Sequence, residues 1–289
     1  MLAPTFARGP RLHRTGAAEP FRPGRCVAGV PAFFMQTKPP GGVIEAAMFR
    51  LILDGEIARL TLDRPEARNA IPGAGWDELA ERIDEAAASA ARLLLISGAD
   101  ETFCAGADLG DFKAMRGDEA ACVRFRERMR AALDRLRELA IPTIARIDGP
   151  CYGAGVALAM ACDLRVASRN ARFAITPAKI GISYPQEDVH RLVELVGPGQ
   201  AARFLFTAQG VDGIEAYTIG LVELLEPDGG ADAVAAAILG NSSESLAALK
   251  RAIRLAVGGC RSDAGQDCQF DTLIGGEELA LRLEALRRK

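Results

Sequence analysis

Thr102-Phe103-Cys104-Ala105-Gly106-Ala107-Asp108-Leu109 comes shortly after Leu93 to Ile96, four apolar residues in a row. An unbroken apolar run of that length reads as a strand buried on both faces. The small residues that follow let the backbone approach a ligand closely, and exposed amides there can donate to an oxygen; a plain strand-to-helix turn has the same composition. The pattern recurs downstream. Thr143 to Ile147 reads as a strand, and Asp148-Gly149-Pro150-Cys151-Tyr152-Gly153-Ala154-Gly155 is a second glycine-led turn. It opens a buried helix, Gly153 to Cys162, whose N-terminal amides and dipole favour negative charge. Strand, small-residue turn and helix, twice over, indicate an α/β fold.

Outward from this pair, Phe49 to Leu53 and Ile57 to Leu62 are β-prone runs joined by Asp54-Gly55, which predicts a hairpin with a two-residue type I′ turn. Trp76, Leu79, Ile83 and Ala87 recur at helical spacing. So do Cys122, Phe125, Met129, Leu133, Leu136 and Leu139, a second helix stopped near Pro142. Leu164 to Ala167 and Arg172 to Ile175 read as short strands, and the chain from about Gln186 onward as mainly helical with Gly and Pro interruptions. Residues 1–47 differ in composition. They hold seven of the 15 prolines, five arginines, two acids and no serine, without apolar periodicity, so disorder is expected there. A start at Met35 or Met48, a dispensable tail or a targeting leader would each account for this segment. The expected organisation is a disordered extension over 1–47, an α/β core over 48–225 and a helical oligomerisation region over 226–289.

The 289 residues are 49% hydrophobic and 25% charged, with a formal net charge of −3, so no basic surplus points to nucleic acid or an anionic membrane. No apolar run approaches the ~20 residues of a membrane span. Seven scattered cysteines without a C-x-x-C suggest reduced thiols in a cytoplasm and no structural zinc. There is no G-x-x-x-x-G-K-[ST] and no G-x-S-x-G, and Gly153-Ala154-Gly155 has Leu158 where a dinucleotide loop needs its third glycine. His13 and His190 are the two histidines, which excludes a multi-histidine metal site.

Arg64-Pro65-Glu66-Ala67-Arg68-Asn69-Ala70, Phe103 to Asp108, Gly153-Ala154-Gly155 with Cys162-Asp163, and Phe173 with Gly181 follow one another in an order and spacing that resemble the enoyl-CoA hydratase/isomerase (crotonase) superfamily. The resemblance covers about Met48 to Lys250. It implies a spiral of ββα units with a helical C-terminal region, assembly as a trimer or dimer of trimers, and an acyl-CoA thioester ligand without metal or redox cofactor. By position, the thioester oxygen would accept from the amides of Ala107 and Ala154. Ala67 and Arg68 would lie near the adenine end of CoA, and Ala105, Gly106, Asp108 and Leu109 along its path. Lys250 would resemble a lysine that reaches a CoA phosphate from a neighbouring subunit.

Hydratases of this family hold the attacking water between two glutamates, and the matching positions here are Ala157 and Pro177. Neither side chain can carry a proton. Thr176-Pro177 followed by Gly181 and Tyr184 is similar to methylmalonyl-CoA decarboxylase, which also lacks both glutamates and has a tyrosine at the position of Tyr184. That likeness implies an enolate protonated or oriented through Tyr184. Ala107 and Pro185 depart from it, standing where the decarboxylase has a histidine and an asparagine. Glu187 and Asp188 are candidate displaced acids, or plain stabilisers of a helix start. The readings that remain are an enolate-stabilising lyase or isomerase of another kind, a decarboxylase-like enzyme, and a non-catalytic acyl-CoA binder.

Overall fold

The structure is a computed structural model that describes residues 47–226 and 230–288. The expectation for 1–47 therefore lies, apart from Ala47, outside the described residues. Strands β1 (Phe49–Asp54) and β2 (Ile57–Leu62) form the hairpin. Asp54 pairs with Ile57, so the loop is Gly55-Glu56 rather than Asp54-Gly55. Gly55 alone of the two has a positive φ, 60°, which is the pattern of a type II′ turn and corrects the type I′ expectation. Helix α1 (Gly73–Ala88) buries Trp76, Leu79, Ala80, Ile83 and Ala86. Ala87 is exposed, because the buried stripe steps to Ala86 one turn after Ile83.

Strand β3 (Leu93–Gly98) runs parallel to β2 and leads through the first small-residue turn to α2 (Leu109–Ala114) and α3 (Glu119–Glu138). The unbroken apolar run in β3 has two partners. Leu94 and Ile96 join the main core with Trp76, Leu133 and Leu136, while Leu93 and Leu95 join a second cluster behind the sheet. In α3 the buried face is Met129, Ala132, Leu133 and Leu136, and Cys122 is exposed. Strand β4 (Thr143–Ile147) is followed by β5 (Pro150–Tyr152), which the sequence hid inside a turn. Proline at its first position removes no ladder bond, as strand edges allow. Helix α4 (Ala154–Ala161) is buried at all eight positions.

Strands β6 (Leu164–Ala167) and β7 (Arg172–Ala174) lead to the long α5 (Gln186–Thr207), broken at Gly197 (φ 74°) ahead of Pro198. Then come β8 (Val211–Asp212), α6 (Gly213–Thr218), β9 (Leu224–Leu225), and helices α7 (Asp232–Leu239), α8 (Ser243–Val257), α9 (Ala264–Ile274) and α10 (Glu277–Arg287). Among the described residues one sheet has the order β1-β2-β3-β4-β6-β9, parallel except for the β1-β2 hairpin, and a smaller sheet has the order β5-β7-β8. Ala231 and Ala235 close the back of the large sheet over Leu93, Leu95, Ile144 and Val166, so α7 belongs to the core. Helices α9 and α10 bury no residue.

Candidate active site

The two small-residue turns are fastened to each other. Cys104 bridges Cys151 in parallel fashion: its amide donates to Pro150 O at 3.1 Å and its carbonyl accepts from Tyr152 N at 2.8 Å. Three residues on, Ala107 bridges Ile71 through its neighbours, with Gly106 O accepting from Ile71 N at 2.8 Å and Asp108 N donating to Ile71 O at 2.9 Å. A parallel bridge of this kind uses the flanking peptides and turns the central residue's own amide away. Ala154 is the first residue of α4, and its amide is one of the donors that a helix start leaves without an internal partner. Among the described residues neither the Ala107 nor the Ala154 amide donates a hydrogen bond. The turns also adjoin in space: a Cβ built on Gly106 would lie 3.6 Å from Ala154 N and 3.0 Å from Tyr152 O. Gly106 has φ 110° and Gly153 φ 51°, conformations that favour glycine at both corners.

A polar brace holds the shape of the first turn. The Arg64 guanidinium donates through Nη1 to Asp108 Oδ2 at 2.7 Å and to Ala70 O at 3.0 Å. Asp108 also caps α2 by accepting from Gly110 N at 2.8 Å. The Arg64 hydrogen bond, followed by the Gly110 amide, holds the Asp108 carboxyl below the usual carboxylate range. Asn69, fully buried, accepts from Arg64 N at 3.0 Å and donates to Ala99 O at 3.0 Å and Thr102 O at 2.7 Å. Asp108 is thus a loop brace, and Arg68, exposed, contributes its carbonyl to the Ala105 amide at 3.0 Å.

Ala107 and Ala154 line a cavity of about 340 Å³. Ala105, Gly106, Ala107, Leu109, Gly153, Ala154, Pro177 and Tyr184 line it, so these sequence candidates are brought together. Ala67, Arg68, Asp108 and Glu187 are not among its lining residues. Sequence reasoning missed the rest of the wall: Phe112 and Phe125, edge-to-face at 5.3 Å between ring centroids, Met129, Ile180, Ile182 and Arg126. Phe125 and Met129 belong to the core face of α3 that their helical spacing predicts and reach the cavity as well, while the exposure of Leu109, Ile180 and Ile182 is visible only in the folded chain. The lining residues include no carboxylate and no histidine.

Tyr184 donates from its hydroxyl to Gly153 O at 3.0 Å. Burial, followed by the nearby Asp188 charge, pushes that hydroxyl well above the usual tyrosine range. Asp188 is buried and accepts from Arg130 Nη1 at 3.1 Å through Oδ1, while Oδ2 has no partner among the described residues. Burial raises its carboxyl against the opposing Arg130 charge. Glu187 is exposed. His190 lies on the outer face of α5, its Nε2 3.2 Å from Glu194 Oε1. Cys104 and Cys151 are fully buried, which pushes the Cys104 thiol up to about 12 and the Cys151 thiol well above the usual thiol range, so neither is a nucleophile. Among the described residues no three His, Cys, Asp or Glu side chains gather into a metal-binding group. Lys250 lies in a different groove, where its Nζ pairs with Asp163 Oδ2 at 2.7 Å and donates to Ile141 O at 2.9 Å. Burial lowers the Lys250 ammonium against the Asp163 charge.

Comparison with known proteins matches residues 53–264 to the family described as enoyl-CoA hydratase/isomerase. The chain belongs to that family. The match spans both turns, α4 and the helices through α8, and the mixed α/β fold agrees with it. The Short-chain-enoyl-CoA hydratase of Clostridium acetobutylicum is 34% identical over 233 residues, covering 78% of this chain and 85% of the relative. Methylglutaconyl-CoA hydratase 1, mitochondrial, of Pyricularia oryzae is 30% identical over 285 residues, covering 86% of this chain and 80% of the relative. The crystal structure of an enoyl-CoA hydratase/isomerase family protein from Hyphomonas neptunium superposes with a TM-score of 0.80 at 35% identity, over 83% of this chain and 95% of that one. As an enoyl-CoA hydratase/isomerase family member the chain is an acyl-CoA enzyme. No helix of the described residues is long and apolar enough to cross a membrane.

Proposed function

We propose that this enzyme stabilises a thioester enolate between the amides of Ala107 and Ala154 and does not use two-glutamate hydration. The supporting observation is the pair of unused amides on adjoining turns at the floor of a largely apolar cavity. Fixed donors aimed at a developing oxyanion act without reorganisation, and one such donor contributes roughly 3–4 kcal/mol. Ala157 and Pro177 offer no proton at the positions where related hydratases have glutamates, and the cavity lining supplies no replacement carboxylate. The acidic α-proton or leaving group of the thioester then has to be handled by the substrate itself, by solvent or by a hydroxyl.

A decarboxylase-like reaction is the second reading, favoured by Tyr184 in the cavity wall and by the low demand of decarboxylation for a base, since loss of CO2 generates the carbanion directly. Tyr184 acts through a peptide. Gly153 C=O and Ala154 N–H belong to one planar trans unit, so a donor on that oxygen fixes the direction of that N–H and strengthens it. Coenzyme A enters as part of the substrate, with Ala67 and Arg68 at the adenine end. The chain assembles as a trimer or a dimer of trimers, and Lys250 serves CoA only where assembly frees it from Asp163.

The deciding experiment is an acyl-CoA panel followed by mass spectrometry, absorbance and calorimetry. Hydration adds water, decarboxylation removes CO2, and a double-bond shift moves absorbance at constant mass. Crotonyl-CoA hydration slower than ~10 s⁻¹ by several orders of magnitude is expected, because each general acid or base contributes ~10²–10⁴-fold. Efficient hydration would overturn the reading, and absence of any acyl-CoA binding at millimolar concentration would remove it altogether. Tight binding without turnover across the panel would leave a non-catalytic binder.

A further inference from the structure

Arg126 is the one charged side chain among the described residues that line the cavity. It projects from the N-terminal half of α3, next to Phe125 and one turn before Met129, both of which line the same wall. Its single polar contact among the described residues is a distant ion pair, 3.7 Å to Glu127 Oε1, between exposed groups adjacent in the chain. One turn further along α3, Arg130 is already neutralised by Asp134 at 3.1 Å and Asp188 at 3.1 Å. A fatty acyl chain needs none of this: the aromatic, aliphatic and methionine side chains would bury it by themselves. A guanidinium beside an apolar cavity, with its planar donor fork uncommitted, is suited to a carboxylate, and the apolar walls strengthen such a pair by excluding water.

We propose that Arg126 selects an acyl group that ends in a carboxylate, so that the substrate class is the CoA monothioester of a short dicarboxylic acid. This rests on the reading of the cavity as the acyl site. The thioester oxygen sits at Ala107 and Ala154, the carbon chain runs along Phe112, Phe125 and Ile180, and the remote carboxylate meets Arg126. A cavity of about 340 Å³ holds a chain of a few carbons and its carboxylate, not a long fatty acyl group.

The test compares succinyl-, glutaryl- and adipyl-CoA with the fatty acyl-CoAs of the same carbon number, by titration calorimetry on the full chain, in the parent and in Arg126→Leu and Arg126→Lys. The expected result is that at least one carboxylated thioester binds about tenfold more tightly than its uncharged counterpart, the size of one charge-assisted hydrogen bond. That ratio should collapse in Arg126→Leu, persist in part in Arg126→Lys, and shrink with added salt in the parent. A ratio near one in the parent, or a ratio that survives in Arg126→Leu because both affinities fall together, would overturn the role of Arg126 while leaving the acyl site intact. Failure of both series to bind would instead remove the acyl-CoA reading on which this inference stands.

Discussion

Tyr184→Phe removes one hydroxyl and leaves the ring in the cavity wall. The Gly153 carbonyl keeps the amides of Val156 at 3.0 Å and Ala157 at 3.2 Å, so the turn should stay folded while the Ala154 N–H loses part of its alignment. Turnover is expected to fall by about tenfold, less than the ~10²–10³-fold that follows loss of an oxyanion donor itself, with acyl-CoA affinity changed less than kcat. Steady-state kinetics with calorimetry in parallel separates the two. Gly106→Ala is harsher, since φ is 110° and the new methyl would meet Tyr152 O at 3.0 Å beside the Ala154 amide. It should cost ~1–3 kcal/mol in denaturant unfolding and weaken acyl-CoA binding together. The Arg64–Asp108 pair has a defined pH signature. Asp108 is depressed in the folded state, so its contribution is complete above the unfolded value of 3.8 and is lost as pH falls through the lower folded value. Asp108→Asn retains a capping side chain but not the charge. Its melting temperature should lie below that of the parent at neutral pH, and the gap should close as the pH is lowered through that window. The two turns that hold Gly106 and Gly153 were legible in the sequence because small residues at strand ends are a local signal, whereas the choice of Ala107 and Ala154 within them came from the family resemblance. Arg126, Phe112 and Ile180 were not legible, because a cavity wall is assembled from three separate segments with no shared period.

At the scale of elements, the site depends on how closely α4 approaches the Cys104 segment. A Cβ on Gly155 would lie 2.7 Å from Cys104 O and 2.8 Å from Cys104 Cβ, so the helix start can sit where it does only with glycine there. Gly155→Ala is expected to push α4 outward, costing ~1–3 kcal/mol by overpacking and moving the Ala154 donor away from the first turn. Thermal unfolding checks the first effect and loss of turnover the second; full activity with unchanged melting would show that the turns tolerate the shift. Strand β3, α1, α3 and α4 could be read from apolar runs and helical spacing because each buries a continuous stripe or is buried all round. Strand β5 could not: three residues paired to β7 give no period, and its pairing partner lies more than twenty residues away. The hairpin was found but its turn slipped by one residue, because Asp54-Gly55 and Gly55-Glu56 both put glycine at a permitted corner and only the Asp54–Ile57 pairing decides between them.

For the whole molecule, the C-terminal helices carry the unfinished business of the fold. Leu249, Ile253 and Val257 form an exposed apolar stripe on α8, and Phe270, Ile274, Leu281 and Leu286 are exposed on α9 and α10. Apolar surface on this scale is characteristic of an assembly face, and sedimentation at micromolar concentration should give a trimer-based species. Ile253→Glu should shift it toward smaller particles; a monomeric parent would refute the assembly. Among the described residues Cys104 and Cys151 are buried in the paired turns and Cys162 at the end of α4, whereas Cys122, Cys260 and Cys268 are exposed. The protein therefore contains its own stopwatch. Among the six thiols of the described residues, an alkylating reagent should mark the outer three at once and the inner three only when the core around them opens, so the mass added per minute to their peptides reads out that breathing without any introduced probe.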